Sequence, residues 1–212
     1  MENKKGFLKY FYSIILLFFL TVINAQNLDI SVLRDININR NKDLDPTFKT
    51  LTNSAIIISN ATPIFIYAVG LIKKDSLIKK KGLLIGETFI ASAFITIALK
   101  NAIKRDRPFV TYPEIEQQTS AGPLSFPSGH TSSAFATATS LSLAYPKWYV
   151  IAPSFLWAGT VGYSRMHLGV HYPSDVLAGA LIGIGSAYLG NEMNKWINKR
   201  KKATKIVIIK GL

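Results

Sequence analysis

Five long apolar stretches, separated by charged or proline-containing segments, constrain the fold of this chain more than any other feature. Each is roughly the length that an α-helix needs to cross a bilayer, and none alternates polar and apolar residues as a strand does. They are rich in Gly, Ala, Ser and Thr, as in helices that pack closely in lipid. The sequence therefore predicts an all-α fold, a transmembrane bundle of about five or six helices. The stretches are about Ala55–Ile72, Gly82–Leu99, Thr131–Tyr145, Trp148–Tyr163 and Val176–Gly190.

The first 25 residues have the pattern of a secretory signal, with Lys4, Lys5 and Lys9 before an apolar run that ends at Ala25. Two interpretations stay open: a signal peptide cleaved at Ala25, or an uncleaved first membrane helix. Residues 26–54 mix charges evenly, which predicts an exposed extracytoplasmic segment. A helix-bundle domain at 55–190 and a basic cytoplasmic tail at 191–212 complete the predicted organisation.

The positive charge of the chain indicates its orientation in a membrane. Lys and Arg number 25 against 12 Asp and Glu, a formal net charge of +13. If the chain emerges outside after the signal, the inside segments hold 16 Lys and Arg against three acids, and the outside segments nine against eight. The positive-inside rule predicts this asymmetry. The basic surplus is thus a topology signal, and no nucleic-acid partner is predicted. With no cysteine in the chain, disulfides, thiolate metal sites and cysteine nucleophiles are excluded.

With this threading, three polar clusters lie on the outer side of the membrane. The first, "KNAIKRDRP", places Lys100 and Arg107 two turns apart on one helix, which is expected to end near Arg107 because a proline follows. The second is "FPSGHTSSA", where Pro127 predicts a helix start. A helix start leaves free amides that bind anions, here near Ser128, Gly129 and His130. Taken singly, these clusters also have an ordinary interpretation as a helix end and a helix start.

The third cluster is "SRMHLGVHYPSD", in which Arg165 offers a planar set of donors suited to phosphate. His171 and Asp175 are four residues apart, so the carboxylate can hold one imidazole nitrogen and leave the other as a nucleophile. A metal site is an alternative, because His167, His171 and Asp175 recur at every fourth position. Gly169 and Pro173 argue against the continuous helix that such a site requires. A purely structural turn is the remaining interpretation.

Together the clusters supply cations, a helix N-terminus, two histidines and one carboxylate, a set that fits phosphoryl transfer through a phosphohistidine. Cations and amides would stabilise charge on the phosphoryl oxygens, so neither a metal nor another cofactor is required. One histidine would attack phosphorus while the other protonates the leaving oxygen and then activates water.

These residues closely resemble the signature of the type 2 phosphatidic acid phosphatase superfamily, which includes vanadium haloperoxidases and bacterial class A acid phosphatases. Its three parts are present here in order as "KNAIKRDRP", "PSGH" and "SRMHLGVHYPSD", and the resemblance covers roughly Ala55–Gly190. It implies that His171 is the nucleophile, Asp175 its orienting carboxylate and His130 the general acid and base. It also implies a phosphate site made by Lys100, Arg107, Ser128, Gly129 and Arg165. His167 lies among the variable residues of the signature and is predicted to be a rim residue.

The resemblance predicts a multi-pass enzyme of the bacterial cytoplasmic membrane that hydrolyses a lipid phosphate or pyrophosphate on the periplasmic face. A soluble periplasmic acid phosphatase with a buried helical core is the main alternative. A haloperoxidase and a catalytically silent lipid-binding protein are the others. Glu87, within the second apolar stretch, is either functional or hydrogen-bonded within the bundle. The sequence predicts neither the particular lipid nor the oligomeric state.

Overall fold

The computed structural model describes residues 27–210, with side chains up to residue 197, and every regular element in that range is helical. The predicted all-α fold is therefore confirmed, whereas the predicted signal at 1–25 lies outside the described residues. The elements are α1 (27–38), a 3₁₀ turn (Lys42–Leu44), α2 (Asp45–Ile72), α3 (Ser76–Ile103), α4 (Pro108–Thr111), α5 (Gly129–Ala144), α6 (Trp148–His167) and α7 (Pro173–Lys210).

Helices α2 and α3 form an antiparallel pair joined by a tight basic turn. Lys74 takes a left-handed conformation with φ 52°. Asp75 caps α3, because its side chain accepts hydrogen bonds from the amides of Leu77 and Ile78. The last helix, α7, runs without a break through the segment predicted as a separate basic tail.

Helix α3 ends earlier than predicted, and this places Arg107 outside it. The helix stops at Ile103 because Lys104 adopts a left-handed conformation with φ 52° and donates its amide to the carbonyl of Lys100. Arg107 has an extended backbone and precedes the short helix α4. Lys100 and Arg107 therefore do not share one helix face, and the chain must fold back for them to meet.

Helices α2 and α3 carry an outward-facing apolar belt. In the described part of the chain, two segments are long and apolar enough to cross a membrane, Lys42–Ile72 and Ser76–Thr111. Phe65 is 70% exposed, Phe94 73% and Leu156, on α6, 73%. A water-soluble protein rarely leaves such large apolar patches uncovered. This exposure favours a bilayer over the alternative of a soluble protein whose apolar stretches are buried.

Helix α5 is the centre of the bundle and contacts α2, α3, α6 and α7. Nine of its 16 residues are buried, all of them Ala, Ser or Thr. Two of the hydroxyls bond carbonyls one turn back, as Thr137 does with Ser133 at 2.9 Å. Ser132 bonds the hydroxyls of Ser92 and Thr96, and these bonds make the burial of the hydroxyls favourable. On the facing α7, a Cβ added to Gly183 would lie 2.5 Å from the carbonyl oxygen of Ser132. The two helices therefore touch backbone to backbone.

The segment before Ala55 was predicted to be exposed, and the structure corrects this. Helix α2 already begins at Asp45, and α1 packs against the end of the bundle that carries the three polar clusters. Ile30 and Leu33, one turn apart, are buried against Ile115 and Tyr172. The sequence allowed a short amphipathic helix in this segment but did not locate it or its packing, because only two of its apolar residues are buried, too few for a clear periodic pattern.

We expect Gly183→Val to destabilise the bundle, because the added atoms would force α5 and α7 apart at a cost of about 1–3 kcal/mol. Thermal unfolding of the purified protein in detergent measures the effect as a lower Tm. Gly185→Val is the matched control, since a Cβ at Gly185 would meet nothing within 4 Å. Equal Tm values for the two variants would contradict the close packing of these helices.

Candidate active site

The loop between α6 and α7 holds a histidine and a carboxylate in contact. The loop turns at Gly169, whose φ of +71° favours glycine and where a Cβ would lie 2.3 Å from the carbonyl oxygen of Glu116. The amides of Val170 and His171 then donate to the carbonyl of Arg165, at 3.0 and 3.3 Å. Nδ1 of His171 consequently lies 3.3 Å from Oδ2 of Asp175, in the first turn of α7.

The carboxylate of Asp175 is fully buried, and donors from separate segments surround it. Oδ2 accepts a bond from the amide of Tyr172 at 3.0 Å and a short one from the hydroxyl of Ser125. Oδ1 accepts a bond from Nη1 of Arg105 at 2.8 Å. The carboxylate is thus held in one orientation.

The tautomer of His171 follows from its two neighbours. Nη1 of Arg107 lies 2.9 Å from Nε2 of His171, and a guanidinium can only donate. Nε2 therefore carries a lone pair, and the proton resides on Nδ1, facing Asp175. Burial away from water lowers the pKa of His171 to about 3, so the ring is neutral at physiological pH. A neutral imidazole with Nε2 unprotonated is the reactive form of a nitrogen nucleophile.

The predicted cations gather around a cavity of about 490 Å³. Six of the predicted site residues line it: Lys100, Arg107, Gly129, His130, Arg165 and His171. Lys100 donates to the carbonyls of Leu124 and Ser125, at 2.8 and 3.0 Å. The cavity therefore combines three cationic side chains, a helix start and two imidazoles.

Arg165 indicates what the cavity accepts. This side chain is buried, and its Nη1 donates to Thr52 at 2.6 Å. Its buried Nε has no hydrogen-bond partner within the described residues. An unpaired buried N–H of a cation is costly, and Arg165 also lines the cavity, where an oxyanion would pair with its charge.

Ser128 occupies a different position from the one predicted. Helix α5 begins at Gly129, so Ser128 rather than Pro127 is the residue at its N-terminal cap. The amide of Ser128 donates to the carbonyl of Asp175 at 3.0 Å, and its Oγ lies 2.8 Å from Oγ1 of Thr131. Ser128 thus joins the start of α5 to the start of α7, and its hydroxyl bonds a residue of α5.

His167 is not a rim residue, and the prediction was wrong. It is buried, and its Nε2 lies 2.8 Å from Oδ1 of Asp45, which also accepts a bond from Arg40 at 3.0 Å. Since His167 pairs with Asp45 and His171 with Asp175, the three residues of the metal alternative do not converge. Among the described residues, no group of three His, Cys, Asp or Glu side chains could hold a metal ion.

Glu87 lies away from this cavity. It lines a groove at the other end of the bundle with Lys80 and Lys81, and its Oε2 accepts a bond from Asn194 at 3.3 Å. This contact agrees with the hydrogen-bonded interpretation of Glu87.

Sequence reasoning missed four residues that contact the site: Asp29, Thr52, Arg105 and Ser125. Two of them had a usable signal, because Arg105 and Ser125 stand within two residues of the "RP" and "PSGH" motifs. Asp29 and Thr52 had none, since nothing in their local sequence distinguishes them.

A helical bundle that encloses a cationic cavity beside a neutral histidine at one end is the architecture of a phosphate ester hydrolase. Comparison with known proteins agrees. A sequence model described as the PAP2 superfamily matches residues 81–199. An undecaprenyl-diphosphatase of Sulfolobus acidocaldarius is 32% identical over 192 residues, which cover 85% of this chain and 90% of that protein. The chain belongs to the PAP2 superfamily.

Two solved structures share the fold. LpxE from Aquifex aeolicus superposes with a TM-score of 0.70 at 30% identity, covering 78% of this chain and 95% of that one. A transmembrane PAP2-type phosphatidylglycerolphosphate phosphatase from Bacillus subtilis gives 0.71 at 25% identity, covering 86% and 94%. The predicted family, bundle fold and enzyme class are confirmed. The chain is a membrane-associated lipid phosphatase.

We expect orthovanadate to raise the Tm of the purified protein, because an oxyanion bound only by the folded state adds about 2–3 kcal/mol at a hundredfold excess over its Kd. Arg165→Ala should lose most of this shift, since it removes the unpaired Nε. Arg34→Ala, at an exposed ion pair with Glu114, should keep it. An unchanged shift in the Arg165 variant would contradict its assignment to the anion site.

The low pKa of His171 predicts a pH dependence of stability. Below pH 6.5 the unfolded chain binds a proton at this ring, whereas the folded chain does not until the pH approaches 3. The neutral ring of His171 therefore makes its full contribution to the unfolding free energy above pH 6.5. That contribution is lost as the pH falls toward 3. Between pH 7 and pH 5 we expect the wild type to lose about 2 kcal/mol more unfolding free energy than His171→Gln. Denaturant unfolding at pH 7 and pH 5 measures the unfolding free energy of both proteins. An equal loss in the wild type and in His171→Gln would contradict a neutral buried ring.

Proposed function

We propose that this chain is a multi-pass membrane enzyme that removes the terminal phosphate of a lipid phosphate or diphosphate through a phosphohistidine at His171. The observation that carries the proposal is the pairing of a neutral His171, with Nε2 unprotonated, with a cavity lined by three cationic side chains. The family match supports the reaction class, and the residue roles rest on the geometry of the site.

In the first step, Nε2 of His171 attacks phosphorus, an N–P bond forms, and the bond from phosphorus to the leaving oxygen breaks. His130 protonates that oxygen. Asp175 accepts the hydrogen bond of the Nδ1 proton and stabilises the positive charge that the ring gains. Lys100, Arg107 and Arg165 stabilise the charge on the phosphoryl oxygens.

In the second step, water attacks the phosphohistidine while His130 takes up its proton. The N–P bond breaks, inorganic phosphate is released and His171 regains its lone pair. The same imidazole therefore acts first as an acid and then as a base.

Arg107 has a second role at the start of the reaction. Its Nη1 lies against the lone pair of Nε2. An arriving phosphate offers charged oxygens, which are stronger acceptors than an imidazole nitrogen. Arg107 would then turn to the phosphate, and the nucleophile would be uncovered only when the substrate is bound.

A lipid is the favoured substrate because the cavity adjoins the apolar belt. Ile97 lines the cavity and is 58% exposed on α3, in line with other outward-facing apolar residues. A headgroup held by the cations would thus have its chain beside the surface that faces lipid. The S. acidocaldarius relative is named for an isoprenoid diphosphate, and the structural relative from B. subtilis for a phospholipid phosphate. We infer that the substrate is one of these two kinds of lipid phosphate.

An outer-face active site agrees with the distribution of charge along the bundle. Helix α3 has 28 residues and is about 40 Å long, so its basic start lies a membrane thickness away from Lys100. Nζ of Lys81 lies 4.0 Å from the ring centre of Tyr145, which brings the α5–α6 turn to the same end. The positive-inside rule then assigns this end to the cytoplasm and the cavity to the periplasmic side.

The test is phosphate release by the purified protein in detergent from undecaprenyl diphosphate, phosphatidylglycerol phosphate and phosphatidic acid, with EDTA present. We expect turnover that vanadate inhibits, and His171→Gln should lower kcat by about a thousandfold or more. Glu87→Gln, remote from the cavity, should leave kcat unchanged. Activity that requires added zinc, or that survives in the His171 variant, would overturn the mechanism.

A further inference from the structure

Asp175, which accepts the hydrogen bond of His171, forms an ion pair with Arg105, and Arg105 forms a second ion pair with Asp29. Asp29 lies outside the region of the family match. Residues 81–199 match the family, whereas Asp29 on α1 does not lie among them. We propose that Asp29 and Arg105 are positioning residues of this active site and that they act on His171 through Asp175. The inference rests on the proposed role of His171.

Three charged side chains form a continuous line at the outer end of the bundle. Nη2 of Arg105 donates to Oδ2 of Asp29 at 2.7 Å, and Nη1 donates to Oδ1 of Asp175 at 2.8 Å. The two carboxylates are almost completely buried, with relative exposures of 7% and 0%. The guanidinium also lies 3.7 Å from the ring centre of Tyr172. Arg105 therefore has its plane and both of its ends fixed.

The line helps to orient the carboxylate of Asp175 against the nucleophile, together with the bonds from Ser125 and Tyr172. Arg105 occupies Oδ1, so Oδ2 is left to lie toward Nδ1 of His171. If Arg105 were free to rotate, Asp175 would lose the ion pair that fixes this orientation. Asp29 prevents that rotation by binding the second nitrogen of the guanidinium.

Asp29 also contacts the start of the helix that carries Asp175. Its Oδ1 accepts a bond from the amide of Ser174 at 2.8 Å, and its Oδ2 accepts the hydroxyl of the same residue. A carboxylate at a helix N-terminus satisfies an unpaired amide and interacts favourably with the helix dipole. Asp29 thus fixes Asp175 in two ways, through Arg105 and through the first turn of α7.

An exposed ion pair on the same helix provides the contrast. Arg34 and Glu114 are 44% and 42% exposed in their side chains, and such pairs contribute little. Asp29 differs from this exposed pair, because it is buried and its partner Arg105 contacts the carboxylate of Asp175. Helix α1 has an independent anchor in the packing of Ile30 and Leu33. The loss of the Asp29 charge should therefore leave α1 in place.

The experiment compares Asp29→Asn with Asp35→Asn, a matched change on the exposed side of the same helix. Three quantities are measured for each: kcat, KM and the Ki of inorganic phosphate. For Asp29→Asn we expect kcat to fall about tenfold, because a small misplacement of a reacting group is costly, while KM and Ki stay within about twofold. Asp35→Asn should match the wild type in all three.

A second comparison uses Arg105→Gln with and without Asp29→Asn. Since one of the two routes from Asp29 to Asp175 passes through Arg105, the double variant should lose less turnover than the product of the two single-variant losses. Arg105→Lys should recover only part of the activity, because one ammonium cannot bridge two carboxylates as a guanidinium does.

Two results would overturn the inference. One is equal kcat in the Asp29 and Asp35 variants. The other is a loss of phosphate affinity as large as the loss of kcat, which would indicate a general structural defect. Turnover is also measured with a small aryl phosphate ester. A wild type that hydrolyses the ester and no lipid would contradict the proposed substrate, while the comparison among variants would still decide the role of Asp29.

Discussion

The burial of one carboxylate, Asp175, is the constraint on which the rest of the structure depends. A charged group removed from water is tolerated only where donors replace its hydration. Here the donors come from the residues that follow α3, from those that precede α5 and from the loop before α7. The outer ends of these helices must therefore meet at one point. The signature motifs occupy those ends because each motif supplies part of that shell or of the cavity beside it.

The cationic cavity complements the buried carboxylate. Lys100, Arg107 and Arg165 repel one another, and the unpaired Nε of Arg165 adds a further cost. The fold bears that cost, and under the proposed function an arriving phosphate would relieve it. The donors need no reorganisation during the reaction, which is the condition under which electrostatic stabilisation of a transition state is most effective. The close backbone contact between α5 and α7 fixes the position of His130, at the start of α5, relative to Asp175, at the start of α7.

The parts of this picture that were predictable from sequence are those encoded over short distances. The four-residue spacing of His171 and Asp175, the apolar lengths and the basic turns are all local patterns, and they specified the fold class and most of the cavity. The end of α3 was misplaced because the left-handed conformation of Lys104 leaves no pattern in sequence. The roles of Asp29 and His167 were missed for another reason. Their partners lie far along the chain, 145 residues from Asp29 and 122 from His167. Contacts of this range follow from the packing of α1 and α2, which the sequence did not reveal.

The cations of the site also fix the loop that forms its open wall. Lys100 holds the carbonyls of Leu124 and Ser125, and Nε of Arg107 donates to the carbonyl of Gly122 at 2.8 Å. These are backbone acceptors, so side chains in this loop can vary without disturbing the contacts. The loop therefore combines a fixed position with a free choice of side chains, the property expected of a segment that selects among lipid headgroups. The residues of the proposed reaction and the loop expected to select the substrate are thus separate segments of the sequence, although Lys100 and Arg107 contact both.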